Sequence, residues 1–445
     1  MTQRLVVIGG DAAGMSAASQ ARRLRHPDDL EIVAIERGAW TSYSACGIPY
    51  YVGGMVDPLD ELVIREPDAF RAKDIQVRMH TEATELDLGR RRVLLDDEQW
   101  LDFDLLMIGT GARLLRPDVP GLDAPGVHGV ATLADAQRIR TEVLERAPRR
   151  AVVLGGGYIG VEMADMLLRR GIQVTVVLAD PLPLALLDED MGERVCAAMS
   201  AMGIEVVTCA PVRAVETGED GRVRRVLTES SMHPADIVVL GLGVRPDAGL
   251  AAAAGLPVGD SGGLRVDDRQ RCAEGVWAAG DCTEATHRLT GKPIAIALGT
   301  HANRQGRVAG TNIGGGDARF AGVLGTAVTV VGETEIGRTG LSLREIEQAG
   351  LDADTTTLES TTRAGYFPGA ESIVTKLLHE RVTGRLLGAQ IVGGRGSAKR
   401  IDVLATALWN EMTVSDLADV DLSYAPPFSP TLDPVSITAR KAARR

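Results

Sequence analysis

Through the first two-thirds of the chain, short apolar runs alternate with longer stretches of helical periodicity. Arg4–Ile8 is a strand-type run, followed by Gly9-Gly10-Asp11-Ala12-Ala13-Gly14 and a helical stretch from Met15 to about Arg25. A second strand-type run, Glu31–Ile35, ends in Glu36, 22 positions beyond Gly14. The same order returns as strand Ala151–Leu154, turn Gly155-Gly156-Gly157-Tyr158-Ile159-Gly160, helix Val161–Arg170 and strand Gln173–Leu178. Two more apolar strands end in polar turns, Leu105–Ile108 before Thr110-Gly111-Ala112-Arg113, and Val276-Trp277-Ala278-Ala279 before Gly280-Asp281. From Phe320 the pattern changes. Strands at Ala327–Val331, Ser372–Leu378 and Leu386–Val392, with helices near Ser342–Ala349 and Lys399–Trp409, predict an antiparallel sheet with helices on one side.

Each strand–turn–helix–strand stretch reads as a βαβ unit whose glycines let the backbone approach a pyrophosphate at a helix N-terminus. Free N–H groups and the helix dipole favour an anion there. In the first turn Asp11 stands where the second glycine would be, and Glu36 is placed to accept from ribose hydroxyls. In the second turn the fingerprint is complete, but Leu178 replaces the acid and only Ala179 and Asp180 follow. Neither a carboxylate against a 2′-phosphate nor an arginine clamp for one is present, so both NADH and NADPH stay open.

Composition narrows the class. A chain of 445 residues suggests about three domains. The 51 glycines exceed the usual share. No apolar run is long enough to span a membrane, and the N-terminus does not resemble a leader, which favours the cytoplasm. A net charge of −12, with only 4 Trp, 6 Tyr and 5 Phe, argues against nucleic acid and anionic lipid as partners. The terminal RKAARR reads as a solvated tail. Five cysteines (46, 196, 209, 272, 282) form no CxxC, so neither zinc nor a disulfide framework is indicated.

Ser42-Tyr43-Ser44-Ala45-Cys46-Gly47-Ile48-Pro49-Tyr50-Tyr51 makes the reading specific. With the first turn, TGAR at 110–113, GGGYIGVE at 155–162, AAGDC at 278–282 and YAPPFSP at 424–430, the chain resembles the single-cysteine branch of the pyridine-nucleotide–disulfide oxidoreductases. It is most similar to the coenzyme A-disulfide reductases. The resemblance implies an α/β fold with two Rossmann-like domains, for FAD (1–117 and 244–320) and NAD(P) (118–243), and a C-terminal α+β dimerisation domain (321–445).

It also implies site residues. FAD would contact Gly9, Gly10, Ala12, Ala13, Gly14, Glu36, Arg37, Thr110, Gly111, Ala112, Arg113, Gly280 and Asp281. The nicotinamide nucleotide would contact Gly155, Gly157, Tyr158, Ile159, Gly160 and Glu162. For Asp281 the plain reading is a helix N-cap before Thr283. Cys46 would be the redox thiol, since position 51, where two-cysteine relatives have their second cysteine, is Tyr51. The other four cysteines read as bystanders. Ser16, Gln20, Arg23, Ser42, Lys73 and His301 match positions that contact coenzyme A, although Arg23 and Lys73 also suit ordinary helix-surface charge. Ala45 and Leu432 depart from the pattern. Tyr424 and Tyr366, from the second subunit of a homodimer, would assist the leaving thiolate.

The implied activity is NAD(P)H-dependent reduction of coenzyme A disulfide or a related persulfide or polysulfide. NADH oxidases and peroxidases of this branch carry a histidine in the first turn where this chain has Ala12, so oxygen or peroxide reduction is the alternative. A redox-sensing flavoprotein acting through partner binding is a third.

Overall fold

The computed structural model describes residues 2–444. It divides into two compact units. One comprises the chain up to Leu115 with Ala131–Gln137 and Val244–Val323, and the other comprises Arg116–Val130, Arg138–Gly243 and the chain from Leu324 onward.

The chain opens with β1 (Gln3–Ile8), α1 (Ala12–Leu24) and β2 (Leu30–Ile35), and repeats that order as β3 (Arg150–Leu154), α2 (Tyr158–Arg169) and β4 (Gln173–Val177). A longer helix, α3 (Gly299–Ile313), follows. Both helices of the repeated units begin inside their glycine turns, so Ala12, Ala13 and Gly14 form the first turn of α1.

In the first unit six strands run in the order 271–273, 276–278, 105–108, β1, β2, 75–78. All pairs are parallel except the edge pair formed by 271–273. Leu5, Val6, Val7 and Ile8 are all buried, as expected of a parallel strand covered on both faces. Alanines of α1 (Ala13, Ala17, Ala18, Ala21) pack with Ala302, Ala309 and Ile313 of α3 in one core. β1 lies between β2 and 105–108, where the strand order reverses, and its end carries the first glycine turn. Ligands of open parallel sheets bind at such a switch point.

The second unit repeats this plan with a five-stranded parallel sheet, 205–207, β4, β3, 237–240, 127–129. β3 sits at the reversal and carries the second turn. A separate antiparallel sheet runs 327–331, 334–340, 386–393, 372–380, 353–361. A capping box of Ser342 and Glu345 starts the helix Leu343–Ala349.

The basic C-terminal run is not a solvated tail. Arg440 and Lys441 lie in the last turn of a packed helix, Pro434–Ala442, whose Thr438, Ala439 and Ala442 are buried. Their charges complement the C-terminal end of the helix dipole. Arg445 lies outside the described residues.

Candidate active site

The two glycine turns have nearly the same backbone. Gly9 and Gly155 take φ of +105° and +99°, conformations that side chains rarely tolerate. A Cβ on Gly14 would overlap the Gly9 carbonyl oxygen, and one on Gly160 would overlap that of Gly155. Each turn therefore folds tightly onto its helix and leaves the helix N-terminus open. Neither α1 nor α2 has a side-chain cap on its first N–H groups.

Around the first turn the carboxylates are arranged with care for hydrogen bonding. Glu36 accepts from Gly10 N at 2.7 Å through Oε2 and from Gly38 N at 2.6 Å through Oε1, which locks it beside the turn with lone pairs remaining for a ribose. Burial pushes Asp11 up to about 6, with Glu36 and Asp281 adding to the rise. Burial alone pushes Asp281 up to about 6. Uncapped N–H groups, an anchored acid and a tight glycine cradle fit the adenosine and pyrophosphate of FAD. Asp281 does not cap a helix. Thr283 N returns to Gly280 O at 2.9 Å, and the chain then enters the strand Glu284–Thr286.

Arg113 donates to Asp247 Oδ1 at 2.7 Å, and Thr110 Oγ1 donates to Asp247 O at 2.5 Å. Asp247 N donates to Gly111 O at 2.9 Å, and Ala112–Leu114 pairs with Val244–Pro246. The TGAR segment thus ties the two arms of the discontinuous unit together. Arg37 stands near Asp247 at 3.8 Å and Glu82 at 3.6 Å.

Cys46 is exposed and forms no disulfide. It sits in the 3-10 turn Ala45–Gly47, which runs straight into the short helix Ile48–Gly53. Its segment is bolted to the first glycine turn at two points: Ser42 N donates to Gly10 O at 3.1 Å, and Tyr43 N donates to Asp11 Oδ1 at 3.1 Å. Ser42 pays for this with a φ of +46°. Burial pushes Cys272 up to about 12 and Cys282 up to about 11, which keeps both as inert thiols at neutral pH.

Ser16, Gln20 and Arg23 fall on one face of α1. Ser16 Oγ donates to Asn303 Oδ1 at 2.8 Å, Gln20 Nε2 donates to Thr311 Oγ1 at 3.2 Å, and Arg23 donates to Gln20 Oε1 at 3.2 Å. Arg22 donates to Asp74 O at 3.0 Å, which brings the neighbouring exposed Lys73 to the C-terminal end of α1. Ser42 lies at the opposite end, against Gly10. His301 is 8% exposed, in the first turn of α3, and its Nδ1 has no hydrogen-bond partner among the described residues. Burial and then Arg304 push it down to about 4, so it is neutral at pH 7.

In the second unit, Glu162 accepts from Thr329 Oγ1 at 2.7 Å. Burial raises the pKa of Glu162, and burial likewise raises that of Tyr158. Leu178, 2% exposed, lies where a Cβ on Gly156 would strike it. Tyr366 is 78% exposed, and the neighbouring half-exposed Tyr424 raises its pKa. Ala364 N donates to Pro426 O at 3.1 Å, joining the two loops that carry these tyrosines.

Two further residues shape the first site. Gln305, 2% exposed, accepts from Gly280 N at 2.9 Å and so fixes the approach of Asp281. Asp247 organises TGAR as described. Neither belongs to a glycine motif, and each acts across a long sequence separation that periodicity does not reveal.

The sequence signature described as pyridine nucleotide-disulphide oxidoreductase matches residues 3–306, and that of its dimerisation domain matches residues 326–435. The NAD(P)H coenzyme A polysulfide/persulfide reductase of Pyrococcus horikoshii is 35% identical over 99% of this chain and 98% of its own length. The NADH oxidase of Methanocaldococcus jannaschii is 33% identical over 99% of both chains. A solved NAD-dependent persulfide reductase from A. fulgidus superposes with a TM-score of 0.95 at 39% identity, covering 99% of this chain and 83% of that one. With two glycine cradles at the switch points of two parallel sheets and a match along its whole length, the chain belongs to the pyridine nucleotide-disulphide oxidoreductase family, enzymes that use FAD and NAD(P)H.

Proposed function

We propose that this protein reduces coenzyme A disulfide, or a related persulfide or polysulfide, with NAD(P)H through Cys46. The observation that carries the reading is the exposed Cys46 on a segment bonded directly to the first glycine turn. Residues 1–117 with 244–320 would hold FAD, 118–243 the nicotinamide nucleotide, and 321–445 the second copy of a homodimer. Similarity to reductases that act on coenzyme A disulfides and persulfides supports the substrate class.

In this scheme the Cys46 thiolate attacks one sulfur of the substrate disulfide. A new S–S bond forms to Cys46 and the second sulfur leaves as a thiolate. Tyr424, beside Tyr366 on the joined loops, donates the proton from the second subunit. FAD and NAD(P)H, when held by the two glycine turns, would supply the electron pair for reduction of the mixed disulfide, in which Cys46 would return to thiolate and the second thiol would leave. Arg23 and Lys73 would meet the coenzyme's phosphates. Ser16, Gln20 and Ser42 would offer hydrogen bonds, and neutral His301 would act as a polar contact and not as a cation. A thiol mechanism also suits the cytoplasm, where cysteines stay reduced.

The test is anaerobic turnover with coenzyme A disulfide, coenzyme A persulfide, polysulfide and, separately, oxygen, each with NADH and NADPH. A coenzyme A substrate is expected to exceed oxygen in kcat/KM by at least about tenfold, since Ala12 offers an oxidised cysteine no side-chain donor. Cys46→Ser is expected to lose at least about a thousandfold of disulfide reduction while flavin reduction by NAD(P)H persists. Full disulfide turnover by that variant would remove the mechanism.

A further inference from the structure

Asp11 is the residue that departs from the glycine fingerprint, and its geometry is unusual. Aspartate at an N-cap ordinarily bonds the N–H groups of the helix it precedes. Asp11 precedes α1 in extended conformation, yet its side chain makes no cap bond. Oδ1 instead accepts from the Tyr43 N–H at 3.1 Å, across 32 residues of sequence. The second turn has Gly157 at the same place, and no side chain reaches out from it. Burial most of all, with Glu36 and Asp281, opposes its ionisation, while the N–H groups of Tyr43 and Ala12 favour it. Nearby, Ser42 holds its φ of +46° between Gly10 O, which its N–H reaches at 3.1 Å, and Ile64 N, which its carbonyl accepts at 2.8 Å.

We propose that Asp11 is a positioning residue for Cys46: its carboxylate, which forms no helix cap, accepts from the Tyr43 N–H and holds the cysteine segment against the first glycine turn. Two results follow from one side chain. The N–H groups of α1 beyond Ala12 carry no side-chain cap, and the chain leading to Cys46 is pinned through Tyr43 only three residues upstream. The proposal rests on the reading of Cys46 as the working thiol. A residue acting in this way touches neither substrate nor cofactor, and its effect passes through the hydrogen bond to Tyr43. An acceptor of the same shape should therefore suffice, with or without charge.

The experiment compares Asp11→Gly, which restores the residue type of Gly157, with Asp11→Asn, which keeps an acceptor oxygen. Both are tested as FAD-loaded holoenzymes under anaerobic conditions. Three readouts are followed: flavin reduction by NADH, flavin reoxidation by coenzyme A disulfide, and alkylation of Cys46 by iodoacetamide, resolved peptide by peptide. For Asp11→Gly, flavin reduction and the KM for NADH are expected to stay within about twofold of the unsubstituted protein. Reoxidation should slow at least about tenfold and the alkylation rate should change by a similar factor. Asp11→Asn should stay within about threefold in all three.

If Asp11→Gly leaves Cys46 alkylation and reoxidation unchanged, the proposal is overturned. It is equally overturned if Asn and Gly behave alike, because charge and not the bond would then matter. Loss of FAD by both variants would also overturn it, assigning Asp11 to the cofactor cradle. Cys46→Ser tests the underlying reading separately: if that variant still reduces the disulfide, Cys46 is not the working thiol, whatever Asp11 does.

Discussion

The two glycine turns are one backbone used twice with different side chains. Gly9 and Gly155 share the left-handed conformation, and Gly14 and Gly160 share the overlap that excludes a Cβ. Two of the differences matter most. Asp11 stands opposite Gly157, and Glu36 opposite Leu178. In both, the backbone leaves N–H groups at a helix start without a side-chain cap, a geometry that suits an anion and needs no particular side chain. The side chains decide what else each cradle does. At the first turn Glu36 presents an anchored acceptor and Asp11 holds a distant cysteine segment. At the second they pack Leu178 against Gly156 and leave the rim without a carboxylate at that point.

The strongest way to break this symmetry is to put a Cβ into each turn in its own variant. Gly14→Ala forces its methyl into the Gly9 carbonyl, and Gly160→Ala forces its methyl into that of Gly155. Overpacking against backbone costs about 1–3 kcal/mol or more, and the turn must open to relieve it. Gly14→Ala is expected to purify with less than about a tenth of its FAD. Gly160→Ala is expected to keep FAD and raise the KM for NAD(P)H at least about tenfold. Flavin absorbance per chain and steady-state titration check the pair. Equal loss of FAD from both variants would show that the turns are not separable.

Much of this comparison was legible in the residue pattern. The turns were, because a strand, a left-handed glycine and a helix start leave a fixed spacing. Cys46 stood out through its surrounding residues. The function of Asp11 was not legible, because its partner is a backbone N–H 32 residues away. For Asp281 a helix cap before Thr283 was the plain alternative to a flavin contact. Tertiary pairing prevailed: Leu264 N bonds Cys282 O at 2.8 Å and Glu284 N bonds Leu264 O at 3.0 Å, drawing the segment into a strand. The C-terminal run misled for a similar reason. Its charges are exposed, but Ala439 and Ala442 on the other side of the helix are buried.

A second contrast between the turns is in their response to pH. The first gathers two carboxylates that titrate near 6, while the counterpart of Asp11 in the second is glycine. Asp281 titrates near 3.9 in an unfolded chain and at about 6 when folded. Between those values the folded chain binds more protons than the unfolded one. Its contribution to stability is therefore full below about pH 4 and is lost as pH rises through 6. A shift of this size corresponds to at most about 3 kcal/mol. In FAD-free protein, Asp281→Asn should raise stability to urea at pH 7.5 by on the order of 1–3 kcal/mol and leave it unchanged near pH 4. A gain of the same size at both pH values would show that burial of the charge is not the cause.

The smallest expected effect sharpens the comparison most directly, by writing the first turn's acid into the second. Glu36 is held by the N–H groups of Gly10 and Gly38, and the residues at the matching places around Leu178 are Gly156 and Asp180. Leu178→Glu would find the same kind of backbone donors and would offer the adenosine ribose an acceptor that a 2′-phosphate would repel. From 178 to 193 the chain carries no lysine, arginine or histidine to offset that repulsion. A hydrogen bond to a charged group contributes about 1.5–3 kcal/mol, so the ratio of kcat/KM for NADH over NADPH should rise by about tenfold or more. Disulfide reduction at saturating NADH should stay within about twofold, because Cys46 belongs to the other turn. If the ratio does not move, Leu178 does not occupy the place that Glu36 fills, and the likeness of the two turns ends at their backbones.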